Sequence, residues 1–146
     1  MNKIFFLLVV TSIAHSQIKP NNIEIVRDQF GVPHIYAQTD AEVAYGLAWA
    51  NAEDDFSTIQ EAYLAGNAML SNHIGLKGAA ADFITQFIGS KSLIEDKIED
   101  ISEEYMAVIE GYSQGLNAYA RNNPDKILYK KLFPIISFSS FGNYTI

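Results

Sequence analysis

The sequence contains no cysteine among its 146 residues. This absence excludes a disulfide framework, a zinc site built on thiolates and a thiol nucleophile. Basic residues are also few, 10 Lys and Arg against 17 Asp and Glu, and the net charge is −7. Nucleic-acid binding depends on clusters of Lys and Arg, and the nearest approach to one is the pair Lys130 and Lys131. We therefore expect no nucleic-acid partner.

Histidines are equally scarce. His15 lies in the leader described below, which leaves His34 and His73 for imidazole chemistry. The two are far apart in sequence, and neither stands in the H-E-x-x-H or Cys/His spacing of a metal site. We expect His34 to end a strand and to bond the backbone.

Three carboxylates stand together at Glu53, Asp54 and Asp55. Adjacent residues on a helix point in different directions, so they do not form one chelating face. We expect them to cap a helix or to pair with cations. Paired-carboxylate catalysis and calcium binding are the alternatives.

The chain begins with MNKIFFLLVVTSIAHSQ, which has the order of parts of a secretory signal: Lys3, an apolar run to Ile13, then the small residues Ala14 and Ser16. We predict a signal peptide over residues 1–16, with Gln17 at the new terminus and a mature net charge of −8. A membrane anchor is the alternative, but a spanning helix needs about 20 apolar residues, roughly twice this run. The expected location is periplasmic or secreted, with no membrane contact once the signal is removed.

The mature chain opens with alternating β-branched residues, a Gly-containing turn and a second extended piece. This pattern predicts a β-hairpin from Ile23 to Ala37. Thr39, with Glu42 three residues later, has the spacing of a capping box, in which each side chain bonds the other residue's backbone N–H. That spacing predicts a helix from Asp40 to Leu64.

The second half of the chain is predicted to contain another long helix. Ala68 to Ser90 mixes glycines with a short apolar run and is interpreted as a loop with a short helix. From Ile94 to Tyr119 an apolar stripe recurs in steps of three and four, typical of one amphipathic helix that Pro124 prevents from continuing. We interpret Gly111 to Gly115, GYSQG, as a mid-helix stretch whose glycines permit close helix packing. The predicted fold class is α+β, mostly helical with an N-terminal hairpin.

The amphipathic stripe is expected to face a protein core. A membrane-surface role is the alternative, but its polar face is acidic and anionic lipid would repel it.

The composition changes near the end of the sequence. After Asp125 there is no acidic residue, and the segment is apolar and aromatic. A frayed terminus would expose side chains such as Phe133 and Ile135. We expect such a tail either to lie against protein that the chain does not contain or to be an artefact, and we divide the mature chain into a main segment, 17–134, and a divergent tail, 135–146.

One stretch, VRDQFGVPHIYAQTDAEVAYGLAWANAEDD from Val26 to Asp55, resembles the start of the mature penicillin acylase family. The family pattern is an Arg-Asp pair, an aromatic-Gly-Val-Pro-His-Ile block, and a helix that reads Ala-Tyr-Gly-Leu and ends in acidic residues. The matching positions are Arg27-Asp28, Phe30 to Ile35, Ala44 to Leu47, and Ala52 to Asp54. A second stretch, Glu110 to Lys126, is similar to a later family helix followed by a Pro-Asp turn. The resemblance covers Ile23 to Pro134 and is weak from Gly66 to Lys91.

The resemblance has one departure within its specific block. Many family members carry an Asp-Arg pair where this chain has Asp54 and Asp55, followed by Phe56. In this respect the chain looks more like the branch that acts on long-chain acyl amides, including acyl-homoserine lactones and lipopeptides such as aculeacin.

The resemblance implies the N-terminal-nucleophile hydrolase fold, with an αββα core, and an exported precursor that cuts itself into two chains. The cut exposes a Ser at the start of the second, or β, chain, and its own α-amine serves as general base in amide hydrolysis through an acyl-enzyme. This chain resembles only the beginning of the first, or α, chain. The nucleophile, the oxyanion donors and the calcium ligands of many members are therefore expected beyond Ile146. We assign no catalytic, cofactor-binding or metal-binding residue here, and Ser16 is no substitute because it precedes the predicted cleavage.

The sequence thus predicts a scaffold segment of an exported amide hydrolase, inactive alone. Its expected partner is the missing C-terminal, β-chain part of the acylase, and the complete enzyme would take an acyl amide. The alternative is a small secreted binding module that reuses the segment. A third hypothesis is an autonomous enzyme.

Overall fold

The computed structural model describes residues 18–135, so the predicted signal peptide and residues 136–146 of the predicted tail lie outside the described residues. The described part confirms the predicted class, mostly helical with an N-terminal hairpin. Its strands are β1 (Glu24–Arg27) and β2 (Pro33–Tyr36), and its helices are α1 (Asp40–Gly66), α2 (Ser71–Ile74), α3 (Ala79–Ile88), α4 (Ser90–Lys97) and α5 (Glu103–Asn122).

The two strands pair antiparallel and rest on the first helix. Ile25 lies opposite Ile35 in the register, so both side chains leave the hairpin on the same face. That face meets α1 at Gly46, where an added Cβ would lie 2.7 Å from a methyl group of Ile35. The hairpin predicted from Ile23 to Ala37 is confirmed, and the absence of a side chain at Gly46 lets it approach the helix.

Helix α1 begins with the predicted capping box. Thr39 Oγ1 accepts a hydrogen bond from the Glu42 N–H, and Glu42 Oε2 accepts one from the Thr39 N–H, each at 3.2 Å. Both bonds satisfy N–H groups that the first helical turn leaves without partners. The helix runs to Gly66, slightly past the predicted end at Leu64.

Helices α1 and α5 approach so closely that their backbones touch. A Cβ added at Gly111 would collide with the backbone of Ala41, and one added at Gly115 would collide with the backbone of Tyr45. Only glycine has room at these two positions. The prediction that Gly111 to Gly115 permits close helix packing is confirmed.

The hydrophobic core lies between α1 and α5. Phe56 and Tyr119 meet edge to face with their ring centroids 5.0 Å apart, an arrangement that aromatic pairs favour. Leu116 is fully buried beside them. The other buried members of this cluster are Ala48, Ala52 and Ala120.

The prediction of one helix from Ile94 to Tyr119 is wrong. The chain forms α4, then a short 3-10 turn over Ile98–Asp100, and only then α5. Ser102 has an extended backbone, and its hydroxyl accepts the Tyr105 N–H at 3.3 Å, which starts a new helix. The three-and-four spacing of the apolar residues continues across this break, so the spacing alone does not show that a helix is continuous.

The apolar stripe reaches the core only in its second part. Leu116 and Tyr119 are buried, whereas Tyr105 is 70% exposed.

No helix among residues 18–135 has both the length and the apolar character needed to cross a membrane.

The segment between α1 and α5 is more helical than predicted. The short helix expected near the apolar run at Phe83 is α3, which begins earlier, at Ala79. Asp82, in the first turn of α3, ties this helix to the start of α2, because its two carboxylate oxygens accept the backbone N–H groups of Leu70 and Ser71, each at 2.8 Å. Gly78 allows the approach, since a Cβ there would lie 2.6 Å from the Ser71 nitrogen.

The end of the described chain, Phe133 of the main segment and Ile135 of the predicted tail, docks on the chain's own core. Asn117 accepts the Ile135 N–H at 2.7 Å and donates to the Ile135 carbonyl at 2.8 Å. The rings of Phe133 and Phe56 lie 5.6 Å apart. For Phe133 and Ile135, the expectation of a place against absent protein is therefore wrong, because the α1–α5 core supplies that place.

Candidate functional site

A cluster of three charged side chains lies where the hairpin meets α1. Arg27, at the end of β1, places Nη2 2.9 Å from Asp54 Oδ1 and 3.2 Å from Glu53 Oε2. The same guanidinium donates to the carbonyls of Gly31 at 2.8 Å and Ala50 at 3.3 Å. We call Arg27, Glu53 and Asp54 the arginine joint, because this cluster ties the hairpin to the middle of α1.

The arginine joint is continuous with the core. Trp49 donates its indole N–H to Glu53 Oε1 at 2.9 Å, and its ring meets Tyr119 of α5 edge to face at 5.3 Å. Hydrogen bonds to Glu53 and then Asp54 raise the pKa of Arg27 above its ordinary value. An arginine is charged at any physiological pH, and these bonds link the hairpin, α1 and, through Trp49, α5.

The hairpin turn is built by the neighbouring carboxylate. Asp28 Oδ1 accepts the N–H groups of Phe30 at 2.8 Å and Val32 at 3.0 Å, while Gly31 takes a positive φ of 82°. The bonds from Val32 and Phe30, with a smaller contribution from His34, lower the pKa of Asp28. Asp28 is thus held ionised as a structural element of the turn.

His34 was predicted to bond the backbone, and that prediction is wrong. Among residues 18–135, its partner is the carboxylate of Asp28, with Nε2 3.6 Å from Oδ2. His73 lies in α2. No group of three or more His, Asp or Glu side chains in the described part of the chain is placed to hold a metal ion.

Asp55 interrupts α1. Its backbone leaves the helical region at φ −154° and ψ 74°, and its Oδ1 accepts the Thr58 N–H at 3.1 Å and the Ser57 hydroxyl at 2.9 Å. Bonds from the side chain and backbone of Thr58, then from Ser57, lower the pKa of Asp55. Asp55 therefore acts as the N-cap of the second half of α1.

The three acidic residues predicted to cap a helix or pair with cations do both. Glu53 and Asp54 pair with Arg27, and Asp55 caps. The break at Asp55 also forms an open depression of about 270 Å³, lined by residues 52–57 and Lys126. Lys126 Nζ donates to the Tyr119 hydroxyl at 2.9 Å, which raises the pKa of Lys126. The charged groups around this depression are bonded to other groups of the same chain, and these bonds serve to hold the structure together.

The stretch GYSQG matches the letters of the G-x-S-x-G nucleophile elbow. That motif requires a sharp turn between a strand and a helix that exposes the Ser. Here Ser113 lies within α5 and is 5% exposed, and both flanking glycines contact the backbone of α1. The structure therefore assigns this stretch to helix packing.

Sequence reasoning missed Gln60. This side chain is 1% exposed. Its Nε2 donates to the Phe56 carbonyl at 3.2 Å and the Lys126 carbonyl at 3.0 Å, and its Oε1 accepts the Leu128 N–H at 2.8 Å. The available signal was a polar residue one helical turn from Phe56 and from Leu64, both apolar, which places an amide on the core face. Gln60 holds the segment after α5 against α1.

Comparison with solved structures defines the class of fold. The chain superposes on a chain of a thermostable penicillin G acylase from Alcaligenes faecalis with a TM-score of 0.63 at 22% sequence identity. The superposition covers 79% of this chain and 63% of that one. The fold is therefore that of part of a penicillin G acylase chain.

The family follows from the sequence. The penicillin amidase family profile matches residues 22–142, and the chain belongs to this family. Its relatives include penicillin G acylase of Escherichia coli, 28% identical over 125 residues, and the acyl-homoserine lactone acylase PvdQ of Pseudomonas syringae pv. syringae, 27% identical over 116 residues. The alignments cover 84% and 71% of this chain but 14% and 15% of those proteins. The chain spans about a seventh of the length of these relatives.

These findings confirm the resemblance to the penicillin acylase family. Relatives named for penicillin and for acyl-homoserine lactone match with similar identity, so the long-chain acyl branch stays a prediction. The family match reaches residue 142, past Pro134, and the domain boundaries stay predictions.

Proposed function

We propose that this chain is the N-terminal scaffold segment of an exported amide hydrolase that releases an acyl group from an amide. The observation that carries the proposal is the match of the penicillin amidase family to residues 22–142. The α1–α5 pair and the arginine joint then supply a rigid frame, and the reacting groups belong to other parts of the enzyme.

In this proposal the nucleophile is a Ser at the start of a second chain, and its own α-amine takes the proton. A two-chain enzyme is supported by the lengths of the related proteins. This chain covers 63% of the solved Alcaligenes faecalis chain but 14% of the Escherichia coli relative, so the solved chain is several-fold shorter than that relative. We propose that residues 18–135 alone do not cleave amides.

Calcium, expected in many family members, does not fit the carboxylates described here. Calcium requires six to eight oxygen ligands, largely from carboxylates, carbonyls and water. Glu53 and Asp54 instead bind the guanidinium of Arg27, and Asp55 binds Thr58 and Ser57. A calcium site of the complete enzyme is therefore proposed for residues outside this segment, and no step here depends on it.

The location is also part of the proposal. A leader with Lys3, an apolar run and small residues ending at Ser16 supports export to the periplasm or beyond. Determination of the N-terminal residue of the secreted chain tests this: Gln17 is expected, and a retained Met1 contradicts it.

The decisive experiment begins with the reading frame that follows residue 146 in the source genome. We expect it to encode the remainder of the family, including a Ser-initiated second chain. The complete product and the 146-residue chain are then assayed with p-nitroanilides of phenylacetic acid and of fatty acids. We expect turnover by the complete product alone, abolished when the terminal Ser of the second chain is replaced by Ala.

Two results would contradict the proposal. Turnover by the isolated chain, retained through purification to homogeneity, would make it an autonomous enzyme. A genome with no continuing acylase sequence, together with a monomeric and cooperative melt of the chain, would favour the small secreted binding module.

A further inference from the structure

Helix α3 is attached to the molecule by its polar side. Asp82, 6% exposed, accepts the backbone N–H groups of Leu70 and Ser71. Thr85, one turn further on the same side, donates its hydroxyl to the Ala65 carbonyl at the end of α1, at 3.0 Å. These bonds fix how the helix is rotated about its axis.

The apolar side of α3 consequently faces outward. Phe83 is 68% exposed and Phe87 is 80% exposed, with their rings stacked at 6.0 Å. Ile84 and Ile88 lie beside them on the next row and are 55% and 64% exposed. We call these four residues the α3 face. Their exposed area is on the order of 500 Å², near the upper end of the patches found on monomeric proteins.

Helix α3 turns its apolar side outward and its polar side toward the rest of the chain, the reverse of a helix on the surface of a soluble protein. An amphipathic helix normally turns its apolar stripe to the core and its polar residues to solvent. The hydrogen bonds of Asp82 and Thr85 prevent α3 from turning, and the sequence from Phe83 to Ser90 carries no charge that would favour solvent there. The α3 face is thus left exposed by the described residues and is free to meet an apolar surface.

Resting on the function proposed above, we propose that the α3 face binds the polypeptide that forms the remainder of the acylase. The relatives supply the argument for this occupant, because the chain covers 14% and 15% of their lengths. Permanent contacts between parts of one enzyme are the kind of interface that is large and apolar. The α3 face has that character, since its four side chains are all hydrocarbon.

The test uses the full chain co-expressed with the polypeptide encoded after it in the source genome, with a tag on the latter. The variants are Phe87→Ser and the double variant Phe83→Ser/Phe87→Ser. The matched control is Tyr105→Ser, which also removes a largely exposed aromatic side chain from a helix but lies outside the α3 face. The readouts are the amount of chain co-purified, the melting of each chain alone, and p-nitroanilide turnover.

We expect the double variant to reduce the co-purified chain at least about tenfold, with Phe87→Ser intermediate and Tyr105→Ser close to wild type. The melting of the isolated double variant should match wild type, because its substituted side chains are exposed. A double variant that co-purifies like wild type overturns the inference, as does an equal loss for Tyr105→Ser. A homodimer that the double variant dissolves and the polypeptide does not displace makes a second copy the occupant and also overturns it.

The inference and the proposed function fail separately. A complex that depends on the α3 face but cleaves none of the amides contradicts the function and retains the docking surface. An active enzyme indifferent to Phe83 and Phe87 retains the function and removes the docking surface. Lack of any continuing polypeptide in the genome removes the occupant and overturns both.

Discussion

Two parts of the molecule use their apolar residues in opposite ways. In the pair formed by α1 and α5, side chains such as Phe56, Leu116 and Tyr119 face inward and are covered. In α2 to α4, residues 71–97, which we call the arm, Phe83 and Phe87 face outward and polar groups make the attachment. Both parts are helical, so secondary structure alone does not reveal which of them buries its own apolar side chains.

The difference shows how two kinds of contact specify a fold. The α1–α5 pair is held by apolar burial and by backbones that touch at Gly111 and Gly115. In the arm, α3 is held by a few directed hydrogen bonds: Leu70 and Ser71 donate their N–H groups to Asp82, and Thr85 donates its hydroxyl to the Ala65 carbonyl of α1. We therefore expect substitutions in the pair to affect folding and substitutions on the arm to affect association.

The largest effect is expected from the double variant Gly111→Ala/Gly115→Ala. Each new Cβ meets main-chain atoms of α1, which cannot rotate aside as a side chain could. We expect the free energy of unfolding to fall by about 5 kcal/mol or more, comparable to the whole stability of a small domain. Urea unfolding followed by far-UV circular dichroism measures it.

The control for that variant is Gly66→Ala, where no atom lies within 4 Å of the added Cβ. Since alanine favours helix over glycine, the control is expected to leave stability unchanged or to raise it by up to about 1 kcal/mol. Equal losses in the two experiments would show that the helices do not touch at Gly111 and Gly115.

The next effect compares one apolar side chain from each part. Leu116→Ala removes a fully buried side chain and should lower the free energy of unfolding by about 3 kcal/mol. Phe87→Ala removes a larger but exposed side chain and should change it by less than about 0.5 kcal/mol. Similar losses, measured by the same urea titrations, would mean that the α3 face is covered within the isolated chain.

A smaller effect is expected at the start of α1. Thr39→Ala removes the oxygen that accepts the Glu42 N–H, and the free energy of unfolding should fall by about 1 kcal/mol. Thr39→Ser keeps an oxygen in the same place and should recover most of the loss. If Ser and Ala destabilise equally in thermal melts, the methyl group and not the cap is responsible.

The smallest and most local effect concerns pH. A bond from the Ser71 hydroxyl, then those from the N–H groups of Ser71 and Leu70, lower the pKa of Asp82. Because the folded pKa lies below the unfolded value of about 3.9, this stabilisation is present above that value and is lost as the pH falls through the folded pKa. Hydrogen exchange at the Leu70 and Ser71 amides should therefore accelerate in strong acid.

Asp82→Asn is the control for the pH effect, since it cannot titrate. Its Leu70 and Ser71 amides should exchange with no additional opening as the pH falls, after correction for intrinsic exchange. A wild-type arm that stays protected below the folded pKa of Asp82 would show that the carboxylate does not hold it.

The parts of this fold that the sequence predicted are those governed by local chemistry. Thr39 and Glu42 fix the start of α1 through atoms three residues apart, and the hairpin depends on a turn within its own few residues. The break before α5 was missed, although Ser102 followed by Glu103 and Glu104 is a cap signal. The stripe from Ile94 to Tyr119 obscured it, since the three-and-four spacing runs on through the break.

For the site, the sequence gives the residue types but not the contacts between them. The sequence places Arg27 next to Asp28, and Glu53 next to Asp54, but not the first pair against the second. That contact depends on how the hairpin lies over α1. The position of the hairpin is set by the packing of Ile25 and Ile35 against Gly46. The roles of Gln60 and Asn117 likewise depend on where the chain returns after α5.

The contact between Gly111 and Ala41 has a genetic consequence. Because an added methyl group at 111 meets main-chain atoms, which every amino acid shares, no replacement of Ala41 can make room for it. A suppressor screen that starts from Gly111→Ala and selects for restored folding should recover reversion to glycine at 111, and not second-site changes at position 41.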